Sequence, residues 1–354
     1  MEKNPLSGLK VLELASVLAG PAVGTFLAEL GADVIKIENP NTGGDVTRSW
    51  KLSSEDTNSD MSAYFASVNV GKEHRFLNLK SADDLETVKH LAIESDIIVA
   101  NYRSGQAKKF GLDFESVRKK NPKVIYGNIT GFGPSESRPA FDVVLQAETG
   151  YMFMNGQPEN EPTKMPVALI DVLAAHQMKE AILLALLNRE KSGEGALVEV
   201  SLFDAAVSAL TNQASNWLMN GHIPQRIGSL HPNIAPYGEV LKSKDDKMIV
   251  LAVGSNAQCI ALFKVLGLEK LSNDERFSSN QHRIENRTEL HKLLQYKAVQ
   301  RTCNDLMSEF LSKNIPAGVI NNLKEVFENE SAQKLVVKDG ETKRVSQIAF
   351  KISK

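Results

Sequence analysis

At 354 residues the chain exceeds the size at which a single hydrophobic core keeps growing, so two lobes are expected. A composition of 42% hydrophobic and 24% charged residues is that of an ordinary folded globular protein and excludes a fibre, a disordered chain or a membrane-spanning bundle. The formal net charge of −2 supplies no chain-wide field to gather nucleic acid or anionic lipid, so neither partner is expected and an anionic ligand must be met by local groups.

Lys10–Leu14 (KVLEL) reads as a buried strand, followed by a small-residue loop and a helix over Val23–Leu30. Ala32–Ile37 then predicts a second strand, and strand–helix–strand within so short a span is a βαβ unit, the building block of parallel sheets. The rhythm continues with helix Leu85–Ser95 into strand Asp96–Ala100, and helix Phe114–Asn121 into strand Val124–Asn128. Polar, glycine-containing stretches at Asn39–Ser62 and Gly131–Pro139 predict loops, the first of a length usually reserved for function. After Asp171 a helix carries apolar residues on nearly every face, which predicts burial all round. Ala196–Leu202 alternates as a strand. Beyond Gly221 the texture changes to His, Pro, Asn and Gly, with a strand at Met248–Val253, a charged helical stretch to Ser312 and a polar ending from Lys334 that suits a strand or tail.

Cys259 and Cys303 lie far apart, outside any Cys-x-x-Cys pattern, and read as reduced packing residues. The histidines show no metal spacing, so no metal is expected. Charges are mixed into the first fifteen residues and no run approaches the roughly 20 apolar residues of a spanning helix, so a cytoplasmic protein without signal peptide is expected.

Leu18-Ala-Gly-Pro-Ala-Val-Gly24 follows the first strand and Glu38 closes the second, an imitation of a dinucleotide site. The imitation is poor, because Pro21 stands where G-x-G-x-x-G needs a closely approaching backbone; a tight strand-to-helix turn with Pro21 in the first helical turn explains the segment as well. Asp171, between the apolar run Val167–Ile170 and the buried helix, has two readings that local sequence does not separate. It is placed as an N-cap; equally, a helix N-terminus favours an ionised carboxylate, a possible nucleophile. Scattered cations, Arg48, Lys72, Lys80, Arg103, Lys108 and Lys109, stand beside expected strand ends and loops, where several converging would suit a phosphorylated nucleotide.

These residues together resemble the class III CoA-transferase family, which includes formyl-CoA transferase, carnitine CoA-transferase and 2-methylacyl-CoA racemase. The resemblance rests on Leu6–Glu38, Gly44-Asp45-Val-Thr-Arg48, Asn101-Tyr102, Gly131–Pro134, Phe141-Asp142 with Gln146, Ile170-Asp171 to Gly195, Val198–Leu202 with Asp204, His231-Pro232-Asn233, Pro236-Tyr237-Gly238, Arg283 with Asn286-Arg287, and Ile315–Gly318. It covers nearly the whole chain. It implies an α/β fold with a large Rossmann-like, parallel-sheet lobe over residues 1–220, completed by 316–354, and a smaller α/β lobe over 221–315. Two subunits are expected as interlocked rings in a homodimer.

By the same resemblance Asp171 falls on the catalytic aspartate, which attacks an acyl-CoA and carries acyl-aspartyl and aspartyl-CoA intermediates to a small carboxylic acid acceptor. Leu18, Ala19, Leu77, Lys80, Asn101, Tyr102, Arg103 and Lys109 fall on CoA-contacting positions. CoA is then substrate, with no prosthetic group. Leu18 stands where formyl-CoA transferase has glutamine, Lys109 where it has arginine, and Val253–Asn256 is poorer in glycine than the loop that shields its intermediate. The alternative within the family, a racemase, needs a histidine where this chain has Phe141, and a ring without an exchangeable proton favours the transferase. A CoA-binding protein without turnover is the alternative of another class, and the presence of Asp171 counts against it.

Overall fold

The computed structural model describes residues 4–353; Met1–Lys3 and Lys354 lie outside the described residues. Among the described residues six parallel strands, β1 (Lys10–Leu14), β2 (Asp33–Glu38), β3 (Glu73–Phe76), β4 (Ile97–Ala100), β5 (Ile125–Thr130) and β6 (Ala196–Ser201), form one sheet in the order β3-β2-β1-β4-β5-β6. This is the doubly wound order. Side chains alternate across a strand, and β1 shows the result: Val11 enters one core with the first helix and Met178, while Leu12 and Leu14 enter another with Val88 and Leu112. Each such aliphatic side chain, removed from water, contributes about 1.5–3 kcal/mol.

Helix α1 spans Ala19–Glu29, starting four residues before the expected Val23. The small residues form its first turn, with Pro21 inside it. A Cβ on Gly20 would stand 2.3 Å from Ala15 Cβ, and one on Gly24 1.9 Å from Glu13 Oε2, so these glycines let α1 lie close on β1. The helix Leu169–Ser192 buries a single stripe including Ile170, Ala174, Met178 and Ile182. Expected burial all round is corrected here: Leu184 is 67% exposed and Leu187 56%, because only one face meets the sheet.

The chain divides into two compact units. Of the described residues, the first comprises 4–152, 164–223 and 331–353; the second comprises 153–163 and 224–330. Residues 316–330, read with the large lobe from sequence, belong to the second unit: β9 (Ala317–Val319) pairs antiparallel with β8 (Met248–Ala252), which pairs with β7 (Tyr237–Lys242). Segment 153–163 joins them through Arg226, which donates to Phe153 O at 2.8 Å. The chain end does return to the first unit, as the hairpin β10 (Val336–Asp339) and β11 (Thr342–Val345), where Glu29 accepts from Ser346 Oγ at 2.6 Å and Gln347 N at 3.0 Å.

In the second unit, Arg283 donates to Ala235 O, Phe277 O and Asn256 Oδ1 at 2.8, 3.0 and 2.8 Å. Arg287 pairs with Glu239 at 2.8 Å and donates to His231 O at 2.9 Å. His231 stacks edge-on against Tyr237 at 5.1 Å. These motif residues brace one loop. Ser255 caps the helix Asn256–Val265, and Gly254 N donates to Gln258 Oε1 at 3.0 Å. Among the described residues no helix is long and apolar enough to cross a membrane.

Candidate active site

The chain leaves β1 toward β2 and β3 on one side, whereas β4 leads to β5 and β6 on the other. At this switch point the strand ends cannot be covered by one crossover, and a crevice opens. A cleft of about 1330 Å³ lies there, lined by Ser16, Glu38, Arg48, Leu77, Lys80 and Arg103 among others. A smaller chamber of about 230 Å³ shares Ser16, Asn101, Tyr102 and Arg103 with it and adds Val17, Leu18, Ala19, Phe141 and Asp171. Asn101 spans the split: its Oδ1 accepts from Ser16 N at 3.1 Å and its Nδ2 donates to Ser16 O at 2.9 Å.

A buried ionic network holds the cleft floor. Lys36 Nζ meets Glu13 at 2.8 Å and Asp45 at 3.0 Å, and Lys72 Nζ meets the other Glu13 oxygen at 2.6 Å. Burial alone would raise Glu13, but Lys36 and Lys72 hold its carboxyl below the usual range. Burial draws Lys72 down to about 8. Glu38 accepts from Arg48 at 2.7 Å through both Nε and a terminal nitrogen, from His74 at 2.7 Å and from Asp45 N at 2.7 Å. Its carboxyl stays far below the ordinary range against its own burial. The Gly44–Arg48 motif therefore folds back on the end of β2 and fixes the loop bordering the cleft.

Asp171 is the third residue of its helix, not the cap. The cap position is Ala168, which has no side chain to cap with. The acceptor comes from elsewhere: Asp142, opening the helix Asp142–Glu148, accepts from Ile170 N at 2.7 Å and Asp171 N at 3.4 Å. Gln146, wholly buried, braces the join by donating to Asp142 at 2.6 Å and accepting from Met165 N at 2.7 Å. Asp171 is 8% exposed. Burial and then the neighbouring Asp142 charge push its carboxyl up to about 7, so desolvation outweighs the helix N-terminus that was expected to favour the ionised form. Tyr64, edge-on to Trp50 at 5.1 Å, is pushed up to about 12 by burial and then by Asp171, Asp142 and Asp45, which marks it as a neighbour of Asp171.

Of the residues expected at a CoA site, Leu18, Ala19, Asn101, Tyr102 and Arg103 line the chamber with Asp171, and Leu77 and Lys80 line the adjoining cleft. Lys80 and Arg103 keep exposed side chains there. Lys109 lines neither; it sits exposed on the short helix Gln106–Phe110. Sequence reasoning did not single out Tyr64, whose hydroxyl feels the Asp171 and Asp142 charges. The roles of Asp142 and Gln146 were also missed, although their spacing of four on one helix face was a usable signal.

A doubly wound sheet with a buried carboxylate beside its switch-point crevice defines an α/β protein of the class that takes ligands at its strand ends. The model of CoA-transferase family III matches residues 6–352, and the chain belongs to that family of CoA-transferases. Succinate--glutarate CoA-transferase of Agrobacterium fabrum is 37% identical over 94% of this chain and 84% of that protein. Human succinyl-CoA:glutarate CoA-transferase is 34% identical over 92% of this chain and 73% of its own. Acetyl-CoA:oxalate CoA-transferase of Acetobacter aceti is 33% identical over 96% and 87%. A CAIB/BAIF family protein from Brucella suis superposes with a TM-score of 0.86 at 37% identity, covering 99% of this chain and 93% of that one.

Proposed function

We propose that this CoA-transferase moves CoA from an acyl-CoA to a small carboxylic acid through covalent intermediates on Asp171. The observation that carries the reading is a buried carboxylate that forms no ion pair among the described residues, set in a chamber continuous with residues expected to hold CoA. A carboxylate held by a cation is a poor nucleophile; one raised to about 7 is half ionised near neutrality and more basic than usual. Its oxygen attacks the thioester carbonyl, the C–S bond breaks, and CoA leaves as thiolate from an acyl-aspartyl anhydride. The thiolate attacks the aspartyl carbonyl, releases the donor acid and leaves aspartyl-CoA. The acceptor carboxylate then attacks that thioester, giving a second anhydride and thiolate; thiolate attack on the acceptor acyl carbon returns Asp171 as carboxylate.

Lys80 and Arg103, exposed at the cleft, are the cations proposed to meet CoA phosphates by charge-assisted bonds. Relatives named for succinate, glutarate and oxalate favour a dicarboxylic acid as one partner. A matrix of acyl-CoA donors against mono- and dicarboxylates, read by mass spectrometry, tests this. Asp171→Asn is expected to lose transfer by several orders of magnitude while remaining folded, and hydroxylamine should trap the wild-type intermediate on the Asp171 peptide. Substantial transfer by the folded variant refutes the assignment.

We further propose the interlocked homodimer. Support comes from apolar side chains left exposed on single helices: Leu184 and Leu187, and Trp217, Leu218 and Met219 on Thr211–Asn220. Light scattering at micromolar concentration should give about twice the chain mass, since a threaded interface of obligate size persists on dilution. A folded monomer rejects it.

A further inference from the structure

Val17 connects β1 to α1 and carries a φ of 73°, a left-handed conformation that a β-branched side chain adopts only under constraint. The constraint is visible. Val17 N donates to Asp45, at 3.2 Å to Oδ2 and 3.4 Å to Oδ1. Asp45 is itself held on every side: its side chain is wholly buried, Lys36 Nζ lies at 3.0 Å, Thr47 N and Oγ1 donate at 3.0 and 2.8 Å, and its own N–H donates to Glu38 at 2.7 Å. Backbone strain persists where surroundings over-determine it, and it gathers at functional sites. Here the strained peptide is followed at once by Leu18 and Ala19, which face the Asp171 chamber.

We infer that Asp45 is a positioning residue for acyl transfer: by holding the strained Val17 peptide it sets the Leu18–Ala19 wall at the distance from which a bound thioester meets Asp171. The inference rests on Asp171 as nucleophile. The Asp45 side chain, wholly buried, acts on the wall through one backbone N–H. The remainder of its bonds tie it to the ionic floor, so the floor and the reacting wall share one anchor.

The test is Asp45→Asn, which keeps an acceptor for Thr47 and turns an amide N–H₂ toward Val17 N and Lys36. Misplacement of reacting groups by about 1 Å costs roughly 100-fold in rate, so kcat should fall by about that factor with KM for acyl-CoA changed only a few-fold. Glycine accepts a positive φ without strain. In a Val17→Gly background the same Asp45→Asn change should therefore cost at least about tenfold less, a coupling that a merely structural role of Asp45 would not show. If Asp45→Asn does not fold, Thr47→Val loosens Asp45 instead, and the same reduction of its kcat loss by Val17→Gly is expected. An unchanged kcat in the folded variant, or an equal loss in both backgrounds, overturns the inference. Asp171→Asn in the same assay separates the two readings: transfer lost there but full in Asp45→Asn removes only the positioning role, whereas transfer retained in Asp171→Asn removes both.

Discussion

At the ends of β1 and β2, Glu13, Glu38 and Asp45 are each met by cations, Lys36 and Lys72, Arg48, and Lys36 in turn. At the start of the helix Leu169–Ser192, Asp142 and Asp171 stand together, with no ion pair to either among the described residues. Both regions are largely buried; the first lines the cleft and Asp171 lines the chamber that adjoins it. Burial acts alike on every carboxylate by disfavouring its charge, so the cations decide the outcome. Where they are present, Glu13 and Glu38 are held below the ordinary range and the groups serve as framework. Where they are absent, burial prevails and the Asp171 carboxyl is left near 7 with no counter-ion beside it among the described residues.

The largest expected effect lies in the paired region. Glu13→Gln preserves size while leaving Lys36 and Lys72 buried without their shared counter-ion, and breaking a buried pair from one side costs about 3–5 kcal/mol. Urea unfolding should register that loss. A shift below about 1 kcal/mol would mean that the network relaxes around the change and does not anchor the sheet end.

Asp171 should respond in the opposite direction. Its folded value of about 7 lies above the unfolded value of about 3.9, so the native state binds more protons between these limits and wild-type stability falls as pH rises through that window. Asparagine does not titrate. Asp171→Asn should match wild type below about pH 4 and exceed its stability by on the order of 3–4 kcal/mol above pH 7. Thermal unfolding of both proteins across pH 4–8 measures the difference. A constant offset with pH would show that burial does not raise this carboxyl.

The comparison also explains what could be read from the chain alone. Apolar runs such as Lys10–Leu14 and Ile97–Ala100 marked the buried strands, because a doubly covered sheet demands uninterrupted hydrophobicity. The start of α1 was obscured: Gly20, Pro21 and Gly24 resemble loop residues and are required by close contact with Ala15 and Glu13, which pattern does not reveal. Of the two local readings of Asp171, the cap fails because the true acceptor, Asp142, lies 28 residues from Ile170 in sequence. The burial of Lys36 has no local signal either, since its partners Glu13 and Asp45 come from β1 and a distant loop. Lys109 rests on resemblance alone; it sits exposed on the short helix whose Gln106 and Phe110 line the cleft.

The smallest expected effect is the absence of a reaction. Moving a proton at the α-carbon of an acyl-CoA in both directions needs a base on each face of that carbon. Asp171 could serve one face. Phe141, which lines the same chamber and is 52% exposed, offers the other face a hydrocarbon ring. Tyr64 neighbours Asp171, but its hydroxyl, raised to about 12, stays protonated at neutral pH and cannot take a proton. A 2-methylacyl-CoA incubated with the enzyme in heavy water should therefore keep its α-hydrogen over many transfer turnovers, as followed by mass spectrometry. Rapid deuterium uptake would show a second base on the chamber wall and turn the reading from transfer toward racemisation. In that event the same measurement on Asp171→Asn would tell whether the lone carboxylate or the unidentified base begins the exchange.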